Sequence, residues 1–231
     1  MSTFDNQTGT AQAALWSEHL ADATPQAILA WANQMFGERL GIACSFGGVS
    51  GMAIVDMAVK INPAVRVFYN DTDFLFPETY ATRDAVSVKY GIVPLGYRPK
   101  LTSEEQAAKH GAELWRTNPD LCCAIRKVEP NARALENLDA WVAGLRRDQS
   151  DTRKSVSPVM WDATFSVFKI APLWNWSEAQ VWRYIAANDV PYNPLHDAGY
   201  ASVGCTHCTV PGAGRDGRWQ GAAKTECGLH K

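Results

Sequence analysis

An α/β fold, a doubly wound parallel sheet, is predicted by three observations. Short apolar runs alternate with segments whose apolar residues recur at helical spacing, the pattern of a parallel sheet with helices on both faces. The 231 residues are 46% hydrophobic and 20% charged, which is enough to bury a core and far from a disordered composition. No apolar run approaches the roughly 18 residues of a membrane span.

The elements follow in chain order. Residues 11–36 have helical periodicity interrupted at Thr24-Pro25, which predicts a helix pair. Residues 40–46 form an apolar run ending in glycines, a first strand, and 52–59 a helix. Residues 65–69 predict a second strand closed by Asn70-Asp71, and Pro77 to Tyr90 a third helical stretch. Residues 92–95 and 140–145 predict further strands. Residues 176–188 predict a helix with Ser177 as N-cap and Ala179, Val181, Trp182 and Ile185 on its apolar face. After Pro191 the chain is rich in Gly, Pro and Cys, so 191–231 is expected to be irregular and to need a staple from outside the core. The division read from this is 1–190, an α/β domain with N-terminal helices, and 191–231, a separate C-terminal segment.

A net charge of −2 argues against a dedicated nucleic-acid binder. The first ten residues are polar with no basic-then-apolar arrangement, so no secretory signal is expected and the cytoplasm is the expected location. In that compartment six cysteines read as metal ligands or catalysts rather than as disulfides.

Four of the six form two tight pairs, Cys122-Cys123 and Cys205-Thr-His-Cys208. Adjacent Cα atoms lie about 3.8 Å apart, below the roughly 4.4–6.8 Å of a disulfide, which disfavours a Cys122–Cys123 bond. Asn118-Pro119 reads as the N-cap and first position of a helix that Pro130 would end, with both thiols in its first turns, where the helix dipole favours thiolate. Four thiolates suit Zn²⁺ or an iron–sulfur cluster, and spacing alone does not separate them. Arg126 and Lys127 each follow one cysteine of the first pair by four residues, so a cation stands one helical turn from each ligand. Without the cysteines this would be an ordinary solvated basic face.

Three further features carry chemistry. Residues 45–51, Ser-Phe-Gly-Gly-Val-Ser-Gly, join a strand to a helix, and their backbone N–H groups can approach a phosphate; Ser45, Gly47 and Gly48 are the candidate contacts. The loop is not a Walker sequence, and taken alone it is a tight turn. Arg146 in Gly144-Leu-Arg-Arg-Asp-Gln-Ser150, and Arg215 and Arg218 in Arg-Asp-Gly-Arg, would build with Lys127 a cationic pocket for phosphate or sulfate oxygens. The final stretch, Glu226-Cys227-Gly228-Leu229-His230-Lys231, puts a thiol on a tail that Gly228 lets bend, with His230 and Lys231 able to stabilise a thiolate. An exposed thiol at a mobile end can react in a pocket and then meet a second protein, and whether the tail is docked or free at rest is left open.

Together these motifs resemble the assimilatory sulfonucleotide reductases, from about residue 27 to the end. The combination of Cys122-Cys123…Cys205-Thr-His-Cys208 with the terminal Glu-Cys-Gly-Leu-His is far more specific than any one motif. The resemblance implies an adenine nucleotide alpha hydrolase type of sheet. It also implies a [4Fe-4S] cluster on Cys122, Cys123, Cys205 and Cys208, so that 191–231 becomes a cluster-binding and catalytic segment. It further implies reduction of adenosine 5′-phosphosulfate (APS) to sulfite and AMP in sulfate assimilation, with Cys227 as nucleophile and thioredoxin or glutaredoxin as reductant. His230 joins Lys127 and the arginines as a substrate contact, and a homo-oligomer is compatible. One departure stands out: cluster-bearing relatives carry acidic residues where this loop has Val49 and Ser50, which opens the alternative of the 3′-phosphorylated substrate, PAPS, or of both. Two other classes are weighed. An ATP-using adenylating or thiolating enzyme on the same fold would need an aspartate in the glycine loop, and a redox sensor would need no reactive tail.

Overall fold

The computed structural model describes residues 4–221 and 224–230. Asn6–His19 (α1) and Pro25–Phe36 (α2) lead into strand Leu40–Ala43 (β1) and helix Val49–Ile61 (α3). Arg66–Asn70 (β2), Pro77–Tyr90 (α4) and Leu95–Tyr97 (β3) follow. Helices Ser103–His110 (α5), Leu114–Thr117 (α6), Pro119–Cys123 (α7) and Glu129–Leu135 (α8) precede strand Ala140–Val142 (β4). The strands Val159–Asp162 (β5) and Val167–Ile170 (β6) and the helix Glu178–Ala187 (α9) complete the regular elements. Among the described residues no helix is long and apolar enough to cross a membrane.

The six strands lie in the order β3-β2-β1-β4-β6-β5. β1 is parallel to both β2 and β4, with Ile42 opposite Val67 on one side and Val142 on the other. These central strands are nearly all apolar because both their faces are covered. From β1 the chain moves outward to β2 and β3, then returns beyond β1 to β4 and β6. The order therefore reverses between β1 and β4, and a crevice opens there at the carboxyl ends of the strands.

The expected sheet was wholly parallel, and the hairpin β5–β6 was not anticipated. β5 runs antiparallel to β6, with Trp161 opposite Phe168. The turn 163–166 is far too short for a crossover helix, so only a hairpin can form. The N–H groups of Thr164 and Phe165 close it on Asp162, at 3.2 Å each. Phe168 then sits in an aromatic cluster with Phe4, Trp16, Phe36 and Trp161, which seats α1 against the end of the sheet.

Boundaries shift for local reasons. The strand expected at 92–95 falls at 95–97, because Gly91 adopts φ 65° and the Ile92 N–H turns back to the Ser87 carbonyl to close α4. The strand expected over 140–145 stops at Val142, and the chain leaves the sheet to form the next loop. α9 starts as expected, with a reciprocal cap between Ser177 and Gln180.

Pro130 does not end the helix of the paired cysteines. α7 continues through a wide turn, Ala124–Val128, in which the Glu129 N–H reaches the Ala124 carbonyl five residues back. α8 then begins with Pro130 in its first turn. A π-type turn changes the hydrogen-bond register, so a proline lacking an N–H is accepted where a strict α-helix would need that donor. The result is one bent helical run carrying Cys122, Cys123, Arg126 and Lys127.

Candidate active site

The loop after β1 is held in one shape. Phe46 has φ 53° and is fully buried, a strained backbone that its neighbours enforce. Its carbonyl accepts from the Asn193 amide at 3.2 Å, and the His196 ring meets the Gly47 carbonyl at 3.0 Å. At the α3 N-terminus, Gly48 is the N-cap and supplies no side chain to bond the first-turn N–H groups. That turn faces the crevice with its positive dipole end.

The loop after β4 leans on it. Arg146 donates to Ser50 Oγ and, at 2.9 Å, to Asp148. It is buried, so this arginine binds the two loops together as well as lining the crevice. Gly144 makes the contact possible: a Cβ there would sit 3.0 Å from Ser50 Cβ and 3.2 Å from the Gly51 nitrogen. Gly144→Val should therefore push the start of α3 away. We expect a loss of about 1–3 kcal/mol in stability and a KM for whatever the crevice binds raised about 10-fold or more. Thermal melts and steady-state kinetics check this; a variant unchanged in both would mean the loops do not need this approach.

The four paired cysteines converge. Cys122, Cys123, Cys205 and Cys208 line one small chamber roofed by Phe74, Trp115, His207 and Trp219. Trp115 and His207 stack at 3.8 Å between centroids. The far loop is pinned to the end of β2: Thr72 Oγ1 lies 3.3 Å from Cys205 Sγ, and the Thr206 N–H donates to the Phe74 carbonyl at 2.8 Å. Gln106 donates to Cys122 Sγ at 3.9 Å.

The expected dipole effect on these thiols is overridden. Burial pushes Cys122 up to about 11, reinforced by Cys123 and Cys205, and only partly opposed by Gln106 and Arg126. Burial likewise raises Cys123, and raises Cys208 to about 12. A short first turn cannot compensate for loss of water around a charged sulfur. Four sulfurs gathered in one chamber with cations beside them could serve as donors to a thiolate-ligated metal centre, where metal charge would replace the protons. Among the described residues no three or more His, Cys, Asp or Glu side chains stand ready-made around a single ion.

The two cations have different tasks. Arg126 is 1% exposed and spends its donors on Asp73 (2.8 Å), Gln106 (2.7 Å) and the Thr102 carbonyl (2.8 Å). It is a structural hub rather than a ligand contact. Lys127 lines both the chamber and the crevice. Burial works against its charge, but the thiols of Cys205, Cys227 and Cys123 hold its pKa above the usual lysine range.

The tail is docked, a resting position that the sequence left open. Glu226 is forked by Arg153, with Nε and Nη2 each at 2.8 Å, and also accepts from Arg215 at 3.2 Å. Lys169 donates to the Leu229 carbonyl at 3.1 Å, and His230 stacks on Trp141 at 5.6 Å. Gly228 makes the bend between these anchors at φ 91°. Burial, together with Lys169, Arg153 and Arg215, drives the His230 pKa well below the usual histidine value. Lys231 lies outside the described residues.

Arg218 lies over the Trp219 ring and donates to the Cys208 carbonyl and Ser202. It packs where a Cβ on Gly204 would be, 2.2 Å from Nη2. One crevice of about 300 Å³ is lined by Ser45, Gly47, Gly48, Lys127, Arg146, Arg215, Arg218, Cys227 and His230. The structure thus brings together every residue expected at a substrate site, and the four chamber cysteines adjoin it through Lys127. Sequence reasoning missed Arg153, Lys169 and Trp141. Arg153 stands just past the noted Gly144–Ser150 motif. Lys169, a lone charge within Val-Phe-Lys-Ile, is the signal of a buried partner, here Asp162 at 2.7 Å, but its strand had not been identified. Cys44 is buried against Met52 and pushed up to about 12, which fits the small core residue expected of it.

Comparison with known proteins places the chain in a family. The phosphoadenosine phosphosulfate reductase domain matches residues 39–211. A protein named adenosine 5′-phosphosulfate reductase from Lysinibacillus sphaericus is 45% identical over 88% of this chain and 89% of its own. One of the same name from Shouchella clausii is 48% identical over 88% and 86%. Among solved structures, a phosphoadenylyl-sulfate (PAPS) reductase from Candida auris aligns with TM-score 0.78 and 35% identity, covering 90% of this chain and 99% of that one. An FMN adenylyltransferase from Candida glabrata aligns at TM-score 0.60 and 13% identity, covering 92% of this chain and 69% of that one, a likeness of fold alone. The crevice at the reversal of strand order, the adjoining cysteine chamber and these likenesses lead to one conclusion: the chain belongs to the phosphoadenosine phosphosulfate reductase family.

Proposed function

We propose that this enzyme reduces adenosine 5′-phosphosulfate to sulfite and AMP in sulfate assimilation, through a sulfo group carried on Cys227. The observation that carries the reading is the tail thiol lying in the same crevice as Lys127, Arg215 and Arg218, at the mouth of the glycine loop. The relatives named adenosine 5′-phosphosulfate reductase support the substrate.

The uncapped start of α3 and the loop 144–150 hold the nucleotide, whose phosphate meets backbone N–H groups. Lys127, Arg215 and Arg218 neutralise the phosphosulfate oxygens and draw charge from the sulfur. The Cys227 thiolate attacks that sulfur. An S–S bond forms, the bond from sulfur to the bridging phosphate oxygen breaks, and AMP leaves with the electron pair. A dithiol protein, thioredoxin or glutaredoxin, then attacks Cys227 Sγ. The S–S bond breaks, sulfite leaves with its electron pair, and the second thiol of the reductant closes a disulfide that frees Cys227. A [4Fe-4S] cluster held by Cys122, Cys123, Cys205 and Cys208 would cross-link α7 to the 205–208 turn and place a fixed charge beside Lys127. Lys127 then faces both ways, toward the chamber sulfurs and toward the substrate anion.

The test is sulfite formation from APS and from PAPS, side by side, with reduced thioredoxin. The expected result is turnover of APS with the higher kcat/KM. Preference for PAPS would transfer the reading to the 3′-phosphorylated substrate, as in the Candida auris enzyme's name. ATP hydrolysis without sulfite release would replace the reading by an adenylating enzyme.

A further inference from the structure

We propose that Glu226 is the positioning residue for the thiol beside it: gripped by Arg153 and Arg215, it locks Cys227 into the crevice for sulfo capture, and it must let go before the reductant can reach the same sulfur. The inference rests on the reading of Cys227 as nucleophile.

The grip is unlike a surface ion pair. Arg153 and Glu226 side chains are only 10% and 11% exposed, and the fork is bidentate. Water-shielded forks of this kind fix geometry as well as supplying energy, whereas exposed pairs contribute little. Thr152 adds a hydroxyl donor to the same carboxylate at 3.3 Å. Arg153 also donates to Gln149, whose amide donates to the Gly144 carbonyl at 3.0 Å. The tail is thereby connected, through two side chains, to the loop that lines the nucleotide crevice.

Cys227 is bracketed. Glu226 is anchored on one side, and the Leu229 carbonyl is anchored by Lys169 on the other. The second anchor uses a backbone atom that any residue would offer. The first needs a carboxylate of this length at this position. Charge gives the clamp its release. Arg153 and Arg215 are close enough that burial and Arg153 together depress Arg215 to about 10. Glu226 is the carboxylate that quiets them. Once the sulfo group has moved to Cys227, the phosphate of AMP keeps the charge of the broken bond and competes for the same guanidinium groups, which loosens the clamp while keeping both arginines neutralised. Capture therefore happens with the tail in place, and release of the tail follows once AMP or its phosphate holds the arginines.

The experiment separates the two half-reactions. In Glu226→Gln, single-turnover formation of S-sulfo-Cys227, followed by mass spectrometry of the tail peptide, should slow about 10- to 100-fold. Alkylation of Cys227 by iodoacetamide should speed up, since the freed tail visits solvent more often. Sulfite release from preformed adduct by dithiothreitol should be no slower than in the wild type. Glu226→Asp should fall between the two. Adduct formation at the wild-type rate overturns the proposal, as does a release step slowed in proportion to capture, which would mean general damage. A Cys227→Ser control that still forms sulfite would instead overturn the nucleophile reading, leaving Glu226 with nothing to position.

Discussion

Cys227→Ser is expected to abolish sulfite formation, by about 10⁴-fold or more, the order seen when a catalytic nucleophile is removed. Sulfur is the reacting atom in both half-reactions. A serine hydroxyl is far harder to ionise, and an O-sulfo serine offers no S–S bond for a dithiol to break. The substitution is nearly isosteric, and the groups that dock the tail do not use the thiol: they are the Glu226 fork, the Leu229 carbonyl and the His230 ring. The variant should therefore fold, dock its tail and bind nucleotide normally. The checks are AMP and sulfite release, a tail-peptide mass without added sulfo group, and nucleotide affinity by calorimetry. Normal turnover would end the assignment.

If the chamber holds the proposed cluster, Cys123→Ser is expected to remove it and, with it, most activity. The buried thiol lies close enough to Lys127 and Cys205 for their charges to act on one another. A hydroxyl is a poor ligand for soft metals and is itself costly to bury unpaired. Iron content and visible absorbance after anaerobic purification should fall to near background. The melting temperature should drop by roughly 5 °C or more, since about 2–4 °C corresponds to 1 kcal/mol in a domain of this size. Full iron retention would count against the ligand set. A wild-type protein that is itself iron-free and fully active would remove the cluster from the account altogether.

Legibility in the sequence followed the range of the forces involved. Ser177 and Gln180 cap α9 from three residues apart, and Thr24 caps α2 at the break expected there. The alternation of strands and helices sufficed for the doubly wound fold, and cysteine spacing sufficed to pair the four chamber thiols. The glycine loop was readable because strand, turn and helix are contiguous. By contrast, β5 and β6 carry mixed residues such as Asp162 and Lys169, which pair with each other only inside the folded hairpin. Pro130 looked like a stop because its tolerance depends on a register change one turn earlier.

What the sequence alone determined is therefore the set of chemical groups and their local frames: the paired thiols, the capped helices, the glycine turn and a cysteine flanked by glutamate and glycine. The tertiary structure alone decided who meets whom and in which protonation state. Arg126 went to Asp73 and Gln106, Arg153 to Glu226 across 73 positions, and burial beside Lys169, Arg153 and Arg215 lowered the pKa of His230. Caps and periodicity act over a few residues, whereas ion-pair choice and desolvation depend on distances that exist only once the sheet has brought its strand ends together.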